Sequence, residues 1–81
     1  MTEAQKDTER AKAAVKAIID GRDMLKHRGM IMVTIEHTIA LALLMVFRDP
    51  ALSAGMLNEG LVPGIEERLA LYASKLKESG L

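Results

Sequence analysis

Residues 29–47, GMIMVTIEHTIALALLMVF, are apolar on almost every side of a helix, yet they carry Glu36 and His37 near their middle. A helix with no polar face has to be surrounded, by protein or by lipid. Lipid is the poorer match. A bilayer needs roughly 20 predominantly apolar residues, and the run Met30–Phe47 sits at the short end of that. A charged glutamate close to its centre costs about 2.5–3.5 kcal/mol on insertion. The expectation is a buried helix of a soluble, cytoplasmic protein with no membrane partner. The opening MTEAQKDTERAK is charged in both signs and leads into no hydrophobic region with a cleavage site, so no signal peptide is expected.

The length of the chain sharpens the question of what surrounds this helix. With 81 residues it is read as a single helical domain over 1–81. A chain so short buries only about 60% of the surface it exposes when unfolded. Small domains compensate with disulfides, a metal or self-association. There is no cysteine, which removes disulfides and thiolate zinc sites, and there are only two histidines, His27 and His37. Self-association or a very well packed helical core is what is left.

Hydrophobic residues make up 49% of the chain and aromatics 2%, so the core is aliphatic, drawn from Leu, Ile, Val, Ala and six Met. Such a composition suits helices better than sheets. The formal net charge is zero, which argues against a strongly basic nucleic-acid binder and against an acidic mimic.

Four helical segments follow from periodicity and stop signals. The first is Thr2 to Arg28. Thr2 and Gln5 have capping-box spacing, and Ala11, Ala14, Val15, Ile18 and Leu25 make one apolar stripe. Lys26, His27 and Arg28 suit the negative end of a helix dipole and Gly29 suits its C-cap, so the break is expected at Gly29. Asp20-Gly21 is a competing break. In a third alternative Ala11, Ile18, Leu25, Met32, Ile39 and Val46, recurring every seven residues, carry one long helix through both glycines.

The second helix is Met30 to Phe47. Pro50 ends it and opens a short third helix, Pro50 to about Asn58, with Asp49 as N-cap. Residues 59–62, EGLV, read as a connector. Pro63 opens the last helix, whose Ile65, Leu69, Tyr72 and Leu76 form the seam of a packed helix pair. Lys75 and Lys77 lie in its last turn and Gly80 ends it.

The expected fold is therefore all-α, a small bundle of three to four helices. The first helix and the last seam cannot wrap the whole circumference of the central one, so homo-oligomerisation completes it, with two-fold symmetry the commonest solution. The residues expected in the core or at the oligomer interface are Met32, Ile35, Ile39, Leu43, Val46, Ile65, Leu69, Tyr72 and Leu76.

Glu36 and His37 are the candidate buried polar or ligand-binding residues. Adjacent residues on a helix point about 100° apart, so adjacency gives them no common site. A di-metal bundle needs Glu-x-x-His on facing helices, and neither that motif nor HExxH is present. The favoured role is structural: pairing across an interface with Arg22, Arg28, Arg48 or Arg68 to fix register. Arg22, Lys26 and Arg28, with His27, form a candidate basic patch, but no aromatic side chain accompanies it for base stacking. Methionines and the loop 58–64 offer adaptable contact surface, or simply fill space.

No glycine-rich phosphate loop, nucleophile elbow or triad is legible, so no catalytic residue, metal or cofactor is assigned. The function expected is that of a non-enzymatic interaction protein, a regulator, adaptor or inhibitor of the kind bacteria or phages encode. It would bind itself and a further protein. The alternative is a ligand- or metal-binding helical oligomer using Glu36 and His37 from several chains.

Overall fold

The computed structural model describes residues 1–79, with side chains through residue 75. The chain is all-α, and no strand occurs among the described residues. In order it runs through α1 (Glu3–Ile19), α2 (Arg28–Phe47), α3 (Pro50–Met56), a π-helical turn (Leu57–Leu61) and α4 (Val62–Ser79). It divides into two compact units, Met1–Ile39 and Ala40–Leu81, with α2 contributing to each.

In the first unit, α1 begins as its sequence directs. The Thr2 hydroxyl accepts from the Gln5 N–H at 3.1 Å, and the Gln5 side-chain oxygen accepts from the Thr2 N–H at 2.8 Å. This reciprocal cap satisfies two of the backbone donors that a helix start leaves unpaired. Glu3–Lys6 and Glu9–Lys12 pair at 3.2 and 3.5 Å along the exposed surface, where each adds only a few tenths of a kcal/mol, about 0.2–0.5.

The helix ends at Asp20-Gly21, not at Gly29. Asp20 adopts the left-handed conformation at φ 49° and Gly21 follows at φ 70°. Aspartate and glycine are among the residues that tolerate this region, so the pair can reverse the chain at little cost. The Asp20 N–H donates to the Lys16 carbonyl at 2.9 Å, closing the last turn. Beyond the break Asp23 restarts helical geometry. Its Oδ1 accepts from the backbone N–H groups of Leu25 and Lys26, both at 2.9 Å. The His27 N–H then donates to the Asp23 carbonyl, and the Ile31 N–H to the His27 carbonyl. With this start signal upstream, Gly29 is carried inside α2 as an ordinary helical residue. The expectation of one helix to Arg28 is corrected accordingly, and so is the uninterrupted seven-residue repeat.

In the second unit, α2 ends on Arg48, whose φ of 58° is again left-handed. Its N–H donates to the Leu44 carbonyl at 2.8 Å. Asp49 then caps α3 through its side chain on the Leu52 N–H at 3.0 Å, with Pro50 at the first position. This junction follows the expected signals closely.

The expected connector at 59–62 is absent, because the backbone stays helical through it. Leu57–Leu61 forms a π turn in which the Val62 N–H reaches the Leu57 carbonyl. The cause lies one residue on. Pro63 has no N–H to donate and its ring clashes with the carbonyl four residues back. A widened turn relieves that clash without ending the helix.

Candidate functional site

The surface of α2 is the feature that most constrains what the chain can do. The helix spans 20 residues and only 11% of its most apolar window is buried. What is covered lies on separate faces in the two units. In the first, Ile31 is buried and Ile35 and Ile39 are half-buried. Val15, Ile18 and Ile19 of α1 join Ile31 and Ile35 in lining an open apolar depression of about 250 Å³. In the second, Leu43 is buried, and the buried Ser53 donates its hydroxyl to the Leu43 carbonyl at 3.3 Å. This bond gives Ser53 a partner for the one polar atom it takes out of water.

The other expected core positions are placed as follows. Met32 is 51% and Val46 72% exposed, and on α4 Ile65, Leu69 and Tyr72 are exposed as well. Leu76 falls outside the described side chains.

Glu36 and His37 are both exposed on α2. Among the described residues neither enters an ion pair, and no cluster of three or more His, Asp or Glu side chains could hold a metal ion. Thr34 and Thr38, which flank this pair on the helix, bond back to carbonyls one turn earlier, Met30 at 3.2 Å and Thr34 at 2.7 Å. Helical hydroxyls of this kind need no outside partner.

His37 lies on a particular stripe. At spacings of three and four residues, Met30, Val33, His37, Ala40 and Leu44 fall on one side of α2, and all are exposed. The stripe lies away from the Ile31–Ile35–Ile39 face. It is apolar apart from the imidazole at its centre.

The candidate basic patch is not brought together. Arg22 is turned inward. Its guanidinium donates to the carbonyls of Ile18 and Ile19, the latter at 3.1 Å, and to the Thr34 hydroxyl at 3.1 Å. It thereby satisfies carbonyls that α1 leaves open at its C-terminus and ties the turn to α2. Lys26 and Arg28 remain exposed on the turn and the start of α2. The capping role of Arg22 went unread in the sequence. The signal for it is an arginine placed just past a helix break, where open carbonyls attract a cation.

No protein-family model matches the chain, and comparisons with curated proteins and with solved structures find no match.

Proposed function

We propose that this chain is a non-enzymatic helical interaction protein that completes its fold by assembling with itself and acts by binding another protein. The roles that fit are those of a small cytoplasmic regulator, adaptor or inhibitor. The observation that carries the reading is the bare surface of α2. Met30, Leu41, Met45 and Val46 are each more than 60% exposed. Apolar patches larger than a few hundred Å² on one chain mark interaction surfaces. Protein is a better cover than lipid for this helix, because Glu36 and His37 sit near its middle and would be costly in a bilayer core.

Light scattering on purified protein in detergent-free buffer tests the assembly. A mass at least twice that of the 8.9 kDa chain is expected across micromolar concentrations. A stable monomer that stays monodisperse at high concentration overturns the reading. A second reading, a ligand or metal site built from Glu36 and His37 of several chains, draws on their exposure along the helix. Metal analysis of the purified assembly tests it, and the absence of copurifying metal together with unchanged melting of Glu36→Ala and His37→Ala in added metal removes the metal form.

A further inference from the structure

We infer that the open depression between α1 and α2 binds a single-chain carboxylate of medium length, with its tail in the groove and its head on Arg28. The site lies wholly within the first unit, Met1–Ile39, and it does not rest on the self-assembly proposed above.

Seven of the eight side chains that line the depression are apolar and the eighth is Arg28. A site of this make-up holds a tail by burial and orients it through the one polar group. Arg28 is exposed and enters no ion pair among the described residues. Asp23, the nearest acid in sequence, does not line the depression, and its Oδ1 already accepts from the Leu25 and Lys26 backbone N–H groups. α2 starts at Arg28 with no acidic residue in its first turn, so the positive end of the helix adds to the guanidinium. The unmatched charge at the site is therefore positive, and a carboxylate meets a guanidinium with two parallel hydrogen bonds.

The size of the tail follows from length and volume. Arg28 stands at one end of the α2 wall, and Ile31, Met32 and Ile35 follow it along the helix. From Arg28 to Ile35 is about 10 Å of helix, the span of an extended chain of roughly eight carbons. A methylene is close in size to a water molecule, whose share of liquid volume is about 30 Å³. The depression, about 250 Å³, holds about eight of them on that measure. Both limits give a fatty acid of about eight to ten carbons. Met24 and Met32, both exposed, are flexible walls that adapt to such a tail.

Methyl NMR on chain with labelled isoleucines, titrated with decanoate below its micelle concentration, tests the site. Ile18, Ile31 and Ile35 report on the depression, and Ile65 on α4 is the reference outside it. The first three are expected to shift and saturate while Ile65 stays. Affinity should rise about two- to fourfold per methylene from hexanoate to decanoate and level off at dodecanoate, once the groove is full. Decyltrimethylammonium, the same tail on a cation, should bind at least about tenfold more weakly. Arg28→Gln should weaken decanoate at least about fivefold, with part recovered in Arg28→Lys. Equal affinity for the two head groups, unchanged affinity in Arg28→Gln, affinity that keeps climbing beyond decanoate, or equal shifts at Ile65 overturns the site. Cosedimentation with phosphatidylglycerol vesicles without any shift in decanoate assigns the cations to a membrane surface and overturns it as well.

Discussion

α1 and α2 are nearly the same length and are stabilised in opposite ways. α1 carries its stability locally: a reciprocal cap at Thr2 and Gln5, two short-range ion pairs, and a left-handed stop at Asp20. Its polar surface is complete in water. α2 has no acidic residue in its first turn and no basic residue in its last, and it exposes large aliphatic side chains all along its length. Helical stability in proteins comes mostly from packing of an apolar face, so α2 depends on what covers it. The comparison sets a helix whose two ends are fixed by local signals beside one whose apolar surface its own chain leaves largely bare.

Three substitutions would break or sharpen this contrast. The largest effect is expected from Leu44→Asp, which puts a carboxylate on the apolar surface of α2 that assembly is proposed to cover. Burying an unpaired charge is costly enough to raise the dissociation constant by at least about 100-fold. Sedimentation should then report monomer at concentrations where the wild type is assembled, whereas Arg10→Asp on α1 leaves the mass unchanged. An unchanged mass for Leu44→Asp would show that α2 is covered some other way.

A smaller effect belongs to Arg22→Ala, at the joint between the two helices. It removes the donors to Ile18, Ile19 and Thr34, and a loss of about 1–2 kcal/mol is expected in denaturant unfolding. Arg22→Lys should recover only part of this, because an ammonium lacks the planar fork. The smallest effect is expected at the far end of α2. Arg48 holds a left-handed conformation that favours glycine, so Arg48→Gly should raise stability by about 0.5–1 kcal/mol in the same measurement. Destabilisation there would mean that the arginine side chain contributes more than its backbone strain costs.

The ends of the helices were legible in the sequence where a single residue carries the signal. Thr2 with Gln5 and Asp49 with Pro50 work through short side chains and fixed geometry, and both form as expected. Two glycines were harder. Gly21 and Gly29 look alike as breakers, but only Gly21 follows a residue that itself tolerates positive φ. Gly29 comes after a new helical start set by Asp23, so its permissiveness is never used. The same limit applies at 59–62, where the composition suggests a loop and a widened helical turn absorbs Pro63 instead.

The candidate site was legible only in part. The apolar run predicted that α2 needs cover, and periodicity singled out Met32, Ile39 and Val46 as one face. Which face the chain covers for itself depends on where α1 turns back, and that is set by Asp20 and Gly21. The candidate basic patch meets the same limit, because charge in a sequence does not say which way a side chain turns. Arg22 is drawn inward by carbonyls whose openness depends on the same break.

The π turn at Leu57–Leu61 has a consequence for the end of the chain. A helix that takes one residue more than a regular turn is equivalent to one that has accepted an insertion without breaking. Everything downstream is rotated by about 100° relative to an uninterrupted helix. The side of α4 that carries Ile65, Leu69 and Tyr72 therefore owes its bearing to Pro63. Removing one residue from the turn would re-aim that entire hydrophobic edge while leaving each of its side chains in place along the sequence.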